Sequence, residues 1–244
     1  MEIRSRLMLA RRIVVSALFF STIFAPQPTL SQVDSCRRIS ELWAPTAGTE
    51  EKVQKWDNSI GYAMFFDERL HQDTLTDTFT KLVSRELVAF QAASGLEMNY
   101  VLKGNVRLVI FISNDIANAK FLNGKFLSYF FGKDSPGVIL PDFGTIFAQS
   151  KSLISRGCSS LTIRIPGGDE IRGAVLLLQA DGSQLCVDQA IAGALGLVHI
   201  FNTKYIDDFD RDSIIAATKQ LYDKRVPVGE MYADAMKTVG GICQ

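Results

Sequence analysis

The chain is poor in the groups from which common active sites are built. It has no G-x-S-x-G elbow, no P-loop and no dinucleotide fingerprint, so those serine-hydrolase and nucleotide chemistries have no motif to stand on. Histidine is scarce, with only His71 and His199 in 244 residues. His71 sits in a polar turn where solvent exposure accounts for it, and Ser159 and Ser160 have no base near them in the sequence. No two cysteines form a C-x-x-C pair, which removes the usual thiolate framework for zinc. The apolar run from Ile13 to Ala25 falls short of the roughly 20 residues needed to cross a bilayer. Net charge is also missing: 26 basic residues balance 26 acidic ones, leaving no footprint for nucleic acid or an anionic membrane.

What is present points first to a compartment. Arg4, Arg6, Arg11 and Arg12 precede the apolar run, and a Pro-containing stretch ending Thr29-Leu30-Ser31 follows it. That order matches the n-region, h-region and small-residue site of a secretory signal peptide. Residues 1–31 are therefore expected to be a signal peptide cleaved after Ser31, with residues 32–244 forming the mature domain in the periplasm or outside the cell. The mature chain would carry 22 basic and 25 acidic residues, and no stable membrane span would remain. All four cysteines, Cys36, Cys158, Cys186 and Cys243, lie beyond the cleavage point. An even count after a signal peptide reads as two disulfides in an oxidising compartment. Three pairings are possible, of which Cys158–Cys186 and Cys36–Cys243 is preferred.

The mature length suits one domain, and no linker or repeat divides it. Ile60 to Phe66 reads as a strand. Phe79, Leu82, Val83, Leu87 and Phe90 recur at helical spacing and predict a helix over 74–93, closed by Gly95. Met98 to Leu102 and Val106 to Ser113 are expected to be strands joined as a hairpin at Lys103-Gly104-Asn105. Val109 to Ile112 is apolar on both faces, as a strand covered on both sides should be. A helix is expected over 115–131, and further strands over 161–165 and 173–179. Two helices, 213–222 and 229–239, close the chain. Strands interleaved with helices and then helices alone give an α+β class: a single domain with one mixed sheet.

The chain reads as organised around Cys186-Val-Asp-Gln-Ala-Ile-Ala-Gly-Ala-Leu-Gly-Leu-Val-His199. Its spacing resembles the zinc helix of zincin metallopeptidases, H-E-x-x-H-x-x-G-x-x-H. In that pattern His residues at i and i+4 grip zinc from one helical face, and the Glu deprotonates the bound water. Gly196 and His199 fall on the Gly and third His of the pattern. Gln189 and Gly193 occupy the two helical His positions, and Ala190 occupies the Glu position. An amide is a poor zinc ligand, Gly has no side chain and Ala cannot act as a base. The same residues suit a packed helix, with Val187, Ile191, Ala194 and Leu195 inward and Gly196 in a left-handed cap.

The C-terminal third resembles a bacterial secreted family catalogued as domain-of-unknown-function family 2927. The likeness rests on Cys186, then Ala194-Leu195-Gly196-Leu197, Leu221-Tyr222-Asp223-Lys224-Arg225 and Gly229-Glu230-Met231. The Trp56 region, the helix ending in Ser94-Gly95 and the strand from Val106 to Ser113 also fit the family's N-terminal half. The resemblance implies a zincin-like layout, in which the family's E-E-x-x-Q already departs from H-E-x-x-H. This chain departs further at Gln189, Ala190 and Gly193.

One more pattern stands out. Asp208, Asp210 and Asp212 alternate like the start of a calcium loop, but Ser213 replaces the loop's Gly and Lys219 its closing Glu. Capping of the next helix by Asp210 or Asp212 is the preferred reading. The expectation is an exported, non-catalytic, zincin-like binding or envelope-associated domain with an unknown protein or envelope partner. No cofactor is expected, with zinc or calcium the alternatives. The alternative function is a diverged hydrolase or peptidase using His199 and nearby acids, with or without a metal. Asp188, Gln189 and His199 are the catalytic candidates, and His199, Asp208, Asp210 and Asp212 the candidate metal ligands.

Overall fold

A computed structural model of the chain describes residues 42, 52–67, 70, 74–102, 105–116, 128–132, 157–164, 167–197 and 209–242. The elements run β1 Ile60–Phe66, α1 Thr74–Ser94, β2 Met98–Tyr100, β3 Leu108–Ser113, a π-helical turn Ser128–Gly132, β4 Cys158–Arg164 and β5 Ile171–Gln179. Three helices follow: α2 Gln184–Ala194, α3 Arg211–Leu221 and α4 Tyr232–Ile242. The five strands form one mixed sheet in the order β2-β1-β3-β5-β4, parallel throughout except for β4, which pairs antiparallel with β5 at one edge. The architecture is the expected single α+β domain. The expected signal peptide and the Cys36–Cys243 pairing lie outside the described residues.

Alternation along the central strands splits the core in two. Leu108, Ile110, Ile112, Leu176 and Leu178 face the helices, where Phe79, Val83, Leu87 and Phe90 of α1 meet the buried stripes of α2, α3 and α4. Val109, Phe111, Val175 and Leu177 face the other way, onto Phe130 and Phe131 of the π-helical turn. All six residues of β3 are buried, as expected of a strand covered on both sides. The close approach of the turn depends on Gly173, where a Cβ would sit 2.6 Å from ring carbons of Phe131.

The expected hairpin between β2 and β3 does not form. Both strands run parallel to β1, one on each side of it: Tyr62 pairs with Tyr100 and with Leu108. Instead of turning back, the chain crosses the end of β1, with Val101 N donating to Tyr62 O and Arg107 N donating to Gly61 O. Gly61 makes room for the crossing, because a Cβ there would lie 2.3 Å from the Asn105 carbonyl oxygen. Other boundaries shift by a few residues. α3 and α4 begin at Arg211 and Tyr232, and β4 and β5 begin at Cys158 and Ile171. Most of the helix expected over 115–131 lies outside the described residues. None of the described helices is long and apolar enough to cross a membrane.

Cys158 and Cys186 form a disulfide with their Cα atoms 5.7 Å apart, joining the start of β4 to the first turn of α2. Both are buried. The bridge spans 28 residues, which in a chain-entropy account corresponds to about 3–4 kcal/mol of restriction on the unfolded state. The double substitution Cys158→Ala/Cys186→Ala is expected to lower stability by that amount, read from the urea midpoint under non-reducing conditions.

Candidate functional site

The helix that carries the zincin-like spacing is α2, and the structure encloses it. Every residue from Cys186 to Ala194 is buried. Ser183 caps its start, its hydroxyl accepting from Cys186 N at 3.2 Å. Its end closes as a paired turn: Leu197 N donates to Ala192 O at 3.0 Å and Gly196 N donates to Gly193 O at 3.2 Å, the Schellman pattern. Gly196 supplies the positive φ of 119°, and a Cβ on it would lie 2.1 Å from the Gln54 carbonyl oxygen. The remaining carbonyls find donors from distant segments. Trp56 Nε1 donates to Ala194 O at 2.8 Å and the Tyr222 hydroxyl donates to Leu195 O at 2.7 Å. Lys55 Nζ donates to Leu221 O at 3.2 Å and also to Val226 O, placing a cation at the negative end of α3.

On the buried face between α1, α2 and α3 stands a charge cluster. Glu86 and Asp188 are both 0% exposed. Glu86 collects three side-chain donors: Arg211 Nε at 2.9 Å on Oε2, with Arg85 Nε at 2.8 Å and Gln184 Nε2 at 3.1 Å on Oε1. Burial alone would raise the Glu86 pKa, but the hydrogen bonds from Arg211 and Arg85 outweigh it and hold the carboxyl below the usual range. Asp188 has no such escort. The Arg211 guanidinium stops 3.9 Å away, and among the described residues neither Asp188 oxygen finds a hydrogen-bond donor. Burial first, and then the charge of Glu86, push Asp188 up to about 7. One carboxylate and one carboxylic acid side by side are what two buried acids sharing a pair of guanidinium groups should become.

A second polar group gathers at the opposite end of the parallel strands. Asp57 precedes β1, Arg107 precedes β3 and Glu170 precedes β5, so the parallel pairing lines all three up at one end of the sheet. Arg107 stacks over the Trp56 ring at 4.9 Å and donates to Ile171 O and Arg172 O. Glu170 is raised to about 7 by burial and then by the hydrogen bond and charge of Asp57, against the pull of Arg172 and Arg107.

The residues singled out from sequence fare unequally. Gln189 is buried at 3% exposure, Ala190 and Gly193 lie within the packed helix, and Asp188 faces Glu86. Asp210 is the N-cap of α3, its side chain accepting from Ser213 N at 2.8 Å, as the capping reading expects. Asp212 is 94% exposed and lies 3.9 Å from Arg211. His199, His71, Asp208, Cys36 and Cys243 lie outside the described residues. Among the described residues, no group of three or more His, Cys, Asp or Glu is placed to hold a metal ion. Sequence reasoning missed Glu86 and Arg211. Glu86 did leave a signal, since it falls between Val83 and Phe90 on the apolar stripe of α1, where a charge needs a partner.

No family model matches the chain, and neither do any curated proteins or solved structures compared with it.

The cluster and the helix cap each generate an expectation. Arg211→Met leaves buried Glu86 without its main partner and is expected to cost about 2 kcal/mol, toward the lower end for a buried charge because Arg85 remains and Arg211 is partly exposed. Arg225→Met, which removes a surface pair with Asp223, is expected to leave the urea midpoint unchanged. Gly196→Ala combines an unfavourable φ with a backbone clash and is expected to destabilise by more than about 1 kcal/mol, read in the same titration.

Proposed function

We propose that this chain is an exported, non-catalytic domain of zincin-like layout, akin to the family it resembles, that works by binding a protein or envelope partner. The observation that carries the reading is the composition and burial of α2. Gln189, Ala190 and Gly193 stand at the two helical ligand positions and the base position of the zincin pattern, and all three are buried. What survives of the pattern is its geometry, namely the helix and the Gly196 turn. Those parts also cap and pack a helix, so their retention has a structural reason without a metal. Export is supported by the Arg-rich start, the apolar run and the Cys158–Cys186 disulfide.

One observation favours a second reading, a diverged hydrolase. An acid with a pKa of about 7 beside an ionised one is the arrangement of general acid–base pairs. Complete burial of both carboxyls weighs against it, because substrate would have to part three helices to reach them.

Metal analysis and peptidase assays on the purified mature protein test the proposal. The expected outcome is less than stoichiometric zinc and no peptide hydrolysis, with a mature N-terminus at Gln32. Stoichiometric zinc together with peptidase activity would overturn it. The second reading expects His199→Ala to abolish hydrolysis while the fold survives, and fails if that substitution alters only stability.

A further inference from the structure

We propose that Glu86 and Asp188 hold a single proton between them and that its loss loosens the junction of α1, α2 and α3, making this helix layer a pH-sensitive clasp. The proposal stands on geometry. Both side chains are 0% exposed, so neither charge can be met by water. Glu86 uses its donors fully, through Arg211, Arg85 and Gln184. Among the described residues Asp188 has no donor within reach, and the nearest cation there is 3.9 Å away and bonded to Glu86. The favourable contact open to Asp188 is with the Glu86 carboxylate, and two carboxyl groups attract only while one keeps its proton.

The charged groups bearing on Asp188 are few. From α1 come Glu86 and Arg85, and from α3 comes Arg211. Asp212 bears on Arg211 from solvent, and Gln184 on α2 itself adds a neutral donor to Glu86. When Asp188 ionises, two buried negative charges share guanidinium groups already committed to one of them. The relief open to the cluster is hydration: α3, whose first turn carries Arg211 against both carboxyls, lifts enough to let water reach them.

The direction with pH follows from the two acids. Asp188 ionises near 3.8 when unfolded and about 7 in the fold, so the folded state holds the extra proton between those values. The stability this lends is complete below the unfolded value and disappears as pH rises through about 7. Glu86 is held low, so its contribution is present above its unfolded value and lost as pH falls through its folded one. The clasp is therefore tightest in mildly acidic solution and opens on the alkaline side.

Urea titrations of the full chain across pH test this. Glu170 titrates in the same range, so the comparison is made in a Glu170→Gln background. There the folding equilibrium constant should fall by up to about tenfold per pH unit between about pH 5 and 7, with the hydrogen-exchange protection of α3, taken relative to the intrinsic rate at each pH, falling in parallel. Adding Asp188→Asn, which cannot ionise, should remove that slope. An unchanged slope in the Asn variant overturns the clasp. Should that variant fail to fold, infrared spectroscopy of the Glu170→Gln protein decides. A protonated-carboxyl stretch present at about pH 6 and lost by about pH 8 supports the shared proton, and its absence at both values overturns it.

Discussion

A helix buried on every side can survive only if other parts of the chain satisfy its ends and its polar side chains. That requirement governs α2. Its amino end is met by Ser183 and stapled to β4 through Cys186. Its carboxyl end is met by Trp56 from before the sheet and Tyr222 from after α3. The one acid on its enclosed face must be neutralised within the helix layer, which brings in Glu86 of α1 and Arg211 of α3. The segment around Trp56, the disulfide and the charge cluster are thus three answers to one problem, the enclosure of α2.

Placement of the cluster also explains a local oddity of α3. A cation in the first turn of a helix opposes the helix dipole, yet Arg211 occupies that turn. Asp210 at the cap and Asp212 beside it offset the mismatch, and the guanidinium points across the interface to Glu86 rather than along the axis. The alternating acids that resemble the start of a calcium loop therefore have an electrostatic task at this end of α3. Two of them surround an arginine that a neighbouring helix needs.

Features set by local chemistry could be read from the sequence. The stripe of Phe79, Val83, Leu87 and Phe90 marked α1, the unbroken apolar run marked β3, and Gly196 and Asp210 announced a helix end and a helix start. The Cys158–Cys186 pairing was legible because both residues flank a strand and a helix that must pack together. The β2–β3 connection was misread for the opposite reason. Lys103-Gly104-Asn105 carries a local hairpin signal, but the pairing partner is β1, some forty residues earlier in the chain. The site suffered the same limit. Asp188 stood out within the zincin-like stretch and Glu86 as a charge on an apolar stripe, but only helix packing brings them together with Arg211.

The strip ahead of β1 carries a consequence for how the domain comes into being. Val53 exchanges backbone hydrogen bonds with Glu230 and Gly229, and Trp56 and Lys55 wait for carbonyls of α2 and α3. A segment ahead of the sheet is thereby completed by one that follows α3. A nascent chain that has not yet delivered residues 222–230 leaves Val53 without its backbone partners and Leu195 O without the Tyr222 hydroxyl, so the carboxyl end of α2 stays only partly capped until they emerge.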